Sequence, residues 1–170
     1  MKRLLFCAAL VMGFSALHAQ ERSQQEIHAA MIYNFIKYVQ WPNEAEPGDF
    51  VIGILGDEEL FTLLKTRYDG KPAKGGKKYA IRKLASAAES ADCHVVYLSK
   101  TKNREFDGIK SSTAGKAVLT ITDSSGLGQK GSCFNLRVID GKLRFELNQA
   151  VVNGANLKVS SQLASMAVII

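Results

Sequence analysis

The sequence holds little of what catalysis or metal binding needs. Three histidines, three cysteines and one tryptophan occur in 170 residues, and neither H-x-x-x-H nor C-x-x-C spacing is among them, so the usual grounds for a metal centre or a dithiol redox site are missing. G-x-S-x-G is absent as well, and the pairs Ser124-Ser125 and Ser160-Ser161 have no sequence-adjacent base to make either serine a nucleophile. No catalytic, metal or cofactor-binding residue is therefore assigned. Three prolines and 22% charged residues against 46% hydrophobic ones exclude a linker or a disordered tail and describe one globular domain. No apolar run reaches the roughly 20 residues of a membrane-spanning helix, so direct membrane insertion is not expected.

The longest apolar run stands at the front, from Leu4 to Leu17, after Lys2-Arg3 and before Leu17-His18-Ala19. That is the pattern of a signal peptide, and cleavage is expected after Ala19. Cys7 lies inside the run, which excludes a lipoprotein anchor. Removing nineteen residues from 170 leaves 151, and losing Lys2 and Arg3 takes 22 basic residues to 20 against 16 acidic, a net +4. The excess is mild, and its densest stretch, Lys74 to Lys83, reads as a solvated loop and strand start rather than a nucleic-acid patch. Cys93 and Cys133 remain after cleavage, and an oxidising compartment leaves two readings open: a disulfide, or two separate thiols packed as small hydrophobes.

The pattern along the chain is that of an α/β domain. Ser23-Gln24-Gln25-Glu26 is a capping box before an apolar run, predicting a helix from about Gln24 to Val39 that stops at Trp41-Pro42. Only His28, Asn34 and Lys37 are polar between Ile27 and Val39, so this helix is expected to need more than one neighbour. Phe50–Leu55 is continuously apolar, as suits a strand covered on both faces of a parallel sheet; Asp57 caps a following helix. Tyr79–Leu84, Cys93–Ser99 and Ala117–Thr122 give further strands, with a short helix after Thr101. Cys133–Val138 and Lys142–Leu147 alternate and flank Asp140-Gly141, the signature of a two-residue hairpin. That register sets Phe134, Leu136 and Val138 opposite Leu147, Phe145 and Leu143, and on the other face Arg137 opposite Arg144 and Asn135 opposite Glu146. A helix near Asn148, a short strand at Leu157–Val159, a helix from Ser160 and a packed Ala-Val-Ile-Ile tail complete a single domain over 20–170. Its sheet is expected to be largely parallel, flanked by helices, with a C-terminal antiparallel hairpin.

Few motifs invite a functional reading. Gly126-Leu127-Gly128-Gln129-Lys130-Gly131 matches G-x-G-x-x-G, but a two-residue period follows where a dinucleotide fingerprint requires a helix, so a mobile glycine loop is expected. His28 and His94 read as hydrogen-bonded structural histidines. Arg137 opposite Arg144 places like charges across two strands, a repulsion that something must offset; the pair is either solvated beside Glu146 or an anion or acidic-partner site. The aromatic belt Tyr33, Phe35, Tyr38 and Trp41 is either core or a dimer or partner surface.

Several segments together resemble the YfiR/HmsC family of exported regulators. They are Ala30-Met31-Ile32-Tyr33-Asn34-Phe35-Ile36-Lys37-Tyr38-Val39-Gln40-Trp41-Pro42, Val51 to Asp57, Cys93 to Ser99, Val118 to Asp123, Gly131 to Leu136, Arg144 to Asn148 and Leu157 to Leu163. The Y-N-F-x-K-x-V-x-W-P stretch is the specific one. The resemblance implies a periplasmic α/β domain, often a homodimer, that represses a membrane-anchored signalling protein by binding its periplasmic part. A diguanylate cyclase is the partner it implies first, a sensor kinase second; release of repression raises cyclic di-GMP and favours biofilm formation. Better-known members carry more cysteines than the two left here, so redox control through several disulfides does not carry over. From the residues alone, a periplasmic receptor for a small anion or nucleotide-like ligand, or a cryptic enzyme, is the alternative.

Overall fold

Period-two alternation inside the apolar runs decides the architecture. In the computed structural model, which describes residues 24–42 and 44–170, the run Phe50–Leu55 is strand β2. Its Ile52 and Ile54 enter one apolar cluster and its Val51 and Leu55 another. Val95–Leu98, strand β4, divides in the same way, Val95 and Tyr97 to one side and Val96 and Leu98 to the other. A strand apolar at every position is stable only between two covering layers. Helix α1 (residues 24–38) and helix α2 (Glu58–Tyr68) cover the first side, and helix α3 (Phe106–Thr113) the second. Asp57 caps α2 by accepting from the Leu60 amide, with Glu58 and Glu59 in the first turn and Lys65 and Arg67 in the last, charges that suit the helix dipole.

Seven strands form the main sheet. Besides β2 and β4 they are β3 (Tyr79–Lys83), β5 (Leu119–Thr122), β6 (Phe134–Ile139), β7 (Lys142–Leu147) and β9 (Val168–Ile169), in the order β3-β2-β4-β5-β6-β7-β9. Strands β3, β2, β4, β5 and β6 are parallel; β7 returns antiparallel from β6, and β9 lies parallel to β7. Asp140 and Gly141 make the hairpin turn with φ of 52° and 71°, the left-handed pair a two-residue turn requires. Every predicted cross-strand pair is present, including Arg137 with Arg144 and Asn135 with Glu146. The order reverses between β2 and β4, so the carboxyl ends of β4, β5 and β6 lie on the side of the sheet where open α/β folds place ligands.

Several boundaries and roles differ from the expectation. The capping residue Ser23 and the signal segment 1–19 lie outside the described residues. Helix α1 ends at 38 because Val39–Gln40, strand β1, pairs antiparallel with β8 (Lys158–Val159), a partner over a hundred residues away in the chain. The glycine-rich stretch is not a mobile loop: Leu127–Lys130 form a single helical turn, α4, flanked by left-handed Gly126 and Gly131. A Cβ on Gly128 would stand 2.7 Å from Glu146 Oε2 and 2.8 Å from Ile170 Cδ1, so this glycine admits close packing rather than a phosphate. Lys74 and Lys77 are not simply solvated. Their ammonium groups bond to the Val39 and Glu46 carbonyls and tie down residues 44–49. The C-terminal tail is paired through the Ile170 amide to the Leu147 carbonyl, yet Val168, Ile169 and Ile170 are exposed, since an edge strand is covered on one side only.

The disulfide reading is corrected as well, because Cys93 and Cys133 are both free, buried thiols in different apolar clusters. Burial pushes the Cys93 thiol up to about 11 and raises that of Cys133 too, so neither is poised as a thiolate.

Phe35 joins α1 to the hairpin. Its ring stacks on Phe134 at 4.4 Å and meets Phe145 at 4.9 Å, and it is 1% exposed. Replacing Phe35 with alanine is expected to cost about 3–5 kcal/mol, read as a lower urea midpoint with an unchanged slope; a loss below about 1 kcal/mol would show that α1 does not depend on this contact.

Candidate ligand pocket and docking edge

The structure separates the four aromatic residues singled out in the sequence. Phe35 and Trp41 are interior, a correction to their place on a partner or dimer surface: Phe35 packs as described, and Trp41 meets Phe50 edge-to-face at 5.0 Å. Tyr33 is 40% exposed and stacks on Tyr68 of α2 at 5.1 Å, while Tyr38 is half-buried. Much of the apolar surface of α1 thus finds neighbours within the domain, and of its large apolar side chains Ile27 and Tyr33 are the exposed ones.

Exposed apolar groups concentrate instead beyond α6 (Ser161–Ala164), where Met166, Val168 and Ile169 are 51%, 43% and 55% exposed. The two ends of the sheet are treated differently. The outer side of β3 is satisfied by its own chain: the Gly70 amide donates to the Tyr79 carbonyl, the Tyr79 amide to the Lys71 carbonyl and the Ile81 amide to the Asp69 carboxylate. Strand β9 ends the sheet order on the other side, and no strand among the described residues pairs with its outer edge. An uncovered apolar edge is a pairing surface for another chain.

The arginine pair is resolved by a buried ladder of polar groups. Thr122 donates to Asn135 Oδ1 at 2.7 Å, Asn135 donates to Glu146 Oε2 at 2.8 Å, and Arg137 Nη1 donates to Glu146 Oε1 at 2.5 Å. Glu146 is buried beneath α4, so the polar face of the hairpin is open to solvent only toward its tip. A buried carboxylate is tolerated because its oxygens are paired and hydrogen-bonded. The attraction of Arg137 to Glu146 offsets its repulsion from Arg144, which is exposed and has no ion-pair partner among the described residues.

A second network lies at the carboxyl ends of the strands and was not singled out in the sequence. Tyr97, at the end of β4, donates to Asp123 Oδ2 at 3.0 Å, and its oxygen lies 3.1 Å from His28 Nδ1 on α1. The Lys100 amide donates to Asp123 Oδ1 at 2.5 Å. Burial lowers the His28 pKa, against the opposing pull of Asp123 and Asp57. His94 is the structural histidine the sequence suggests: its Nδ1 accepts from the Val51 amide at 3.1 Å and its ring stacks on Phe50 at 4.7 Å. Of the network's three members the sequence points to His28, which is hydrogen-bonded as expected; the other local signal is the position of Asp123 just past a parallel strand. At the opposite end of the sheet, an open groove of about 910 Å³ is lined by Trp41, Lys116, Asn153, Asn156 and Lys158, and the buried Trp41 Nε1 has no hydrogen-bond partner. Among the described residues no three metal-ligating side chains converge, and no helix is long and apolar enough to cross a membrane.

The two arginines are expected to respond differently to substitution. Arg137→Gln leaves Glu146 with one strong donor fewer and is expected to cost roughly 1–3 kcal/mol. Arg144→Gln removes a repulsion and is expected to stay within about 0.5 kcal/mol of the wild type. Urea unfolding of the two variants side by side checks this; equal losses would contradict the assignment of Glu146 to Arg137.

A family model described as YfiR/HmsC-like matches residues 25–168, nearly all of the described chain, and the protein belongs to that family.

Proposed function

We propose that the protein is an exported regulator without chemistry of its own. It binds the periplasmic part of a membrane-anchored signalling protein, foremost a diguanylate cyclase, and holds it inactive, which restrains cyclic di-GMP synthesis and biofilm formation. Membership of the YfiR/HmsC-like family over residues 25–168 is the observation that carries this reading. The amino-terminal signal pattern supports export, with the working molecule beginning after Ala19.

The uncovered edge at β9 is the surface through which this regulator docks. Strand addition supplies backbone hydrogen bonds, and the exposed Met166, Val168 and Ile169 supply apolar contact, the combination by which edge strands recruit extended segments of other proteins. Antiparallel pairing of this edge with its counterpart in a second copy, about a two-fold axis, would also give the homodimer. A free homodimer and a partner complex would then compete for one surface.

Affinity capture from solubilised membranes tests the proposal. The wild-type protein is expected to recover a diguanylate cyclase, and Ile169→Lys, which places a charge on the edge at little cost to the core, is expected to lower recovery at least about tenfold, the effect of some 1.4 kcal/mol. Absence of any cyclase from the wild-type capture would count against the partner. Equal recovery by the variant would count against the edge.

A further inference from the structure

Of the network of His28, Tyr97 and Asp123, two members, His28 and Asp123, line a cavity of about 280 Å³ together with Lys100, Arg137, Leu136, Val138 and Leu143. The elements that meet there are the start of α1, the ends of β4 and β5, and the hairpin β6–β7. Two of the lining side chains are cations, Lys100 and Arg137. The one carboxylate, Asp123, has both oxygens occupied, Oδ1 by the Lys100 amide and Oδ2 by the Tyr97 hydroxyl. Arg137 gives Nη1 to Glu146, which holds the guanidinium in place while its other nitrogens have no partner among the described residues. The Lys100 side chain is exposed and has no hydrogen-bond or ion-pair partner among them either.

The hydrogen bonds also fix what His28 presents. Because the Tyr97 proton goes to Asp123, the contact between His28 and Tyr97 requires His28 Nδ1 to donate. A neutral ring then carries its lone pair on Nε2. His28 is 2% exposed and lines the cavity, and its Nε2 has no partner among the described residues. Nε2 is not sealed in the interior as Trp41 Nε1 is, so this free acceptor can be reached from the cavity and can take a proton donor from a ligand there.

We infer that this cavity binds a small organic acid, with the carboxylate held by Lys100 and Arg137, a hydroxyl donated to His28 Nε2, and the apolar body laid against Leu136, Val138 and Leu143. Two cations, an acceptor and three apolar side chains around one cavity match a 2-hydroxy acid better than an inorganic anion, which would leave the histidine and the apolar groups unused. The site needs no partner protein and stands apart from the docking edge, so it can be tested on the purified protein alone.

Two-dimensional NMR of the histidine rings and the Arg137 side chain provides the test, with mandelate, lactate, acetate and inorganic phosphate as probes at constant ionic strength. Mandelate is expected to move the His28 and Arg137 signals saturably, more tightly than lactate and lactate more tightly than acetate, while His94 at the far end of β4 stays fixed. Lys100→Gln is expected to weaken mandelate at least about tenfold, the loss of one charge-assisted bond, with the His28 signals of the free variant showing that the fold is intact. Unmoved His28 signals, an equal response to phosphate and mandelate, or undiminished binding by Lys100→Gln would each overturn the assignment.

Discussion

The structure depends on the need to cover both faces of β2 and β4. Their alternate residues feed two apolar clusters, and neither face can be left to water without exposing four or five large side chains. Helix α1 is the cover over the hairpin half of the sheet, held there by the stack of Phe35 on Phe134 and Phe145. Once α1 lies in that place, its earlier turns bring His28 to Tyr97 at the end of β4, and the cavity beside Asp123 and Arg137 follows from the packing. That cavity is therefore a by-product of a burial requirement, placed at the carboxyl ends of the strands, where parallel sheets open.

Polar groups in the interior occur where two covering elements meet. Glu146 and Asn135 lie under α4 and Ile170, matched by Thr122 and Arg137. The ladder connects three strands and reaches the residue that pairs with Val168 of the edge strand. The hairpin consequently supports two surfaces at once, a charged one toward the cavity and an apolar one at the sheet edge. One sheet edge is closed by residues 69–71, while among the described residues no strand pairs with the other, an asymmetry that fits the proposed docking role.

Much of the fold was legible because its determinants are local. The Asp140-Gly141 turn fixes the hairpin register, and the continuous runs at Phe50–Leu55 and Val95–Leu98 state two-sided burial on their face. What was not legible depends on distant partners. Val39 became strand because Lys158 and Val159 come back to meet it, and Asn135 and Glu146 are buried because a four-residue helix and the chain's last residue cover them. Core and surface stayed open for the aromatic belt because helical periodicity does not reveal that Phe35 and Trp41 have aromatic neighbours in the hairpin and in β2. His28, Tyr97 and Asp123 come from three separate segments with no shared motif, so their union appears only in three dimensions.

The central claim is that this domain restrains a cyclase by binding it. Turnover of GTP to cyclic di-GMP by a membrane diguanylate cyclase of the same cell, reconstituted in vesicles with its periplasmic part accessible, measures that claim directly. Adding the domain that begins at Gln20 is expected to lower turnover in a saturable way, with half-inhibition shifting upward when Ile169→Lys is used. Turnover that stays constant at saturating concentrations of the wild-type domain would contradict the account.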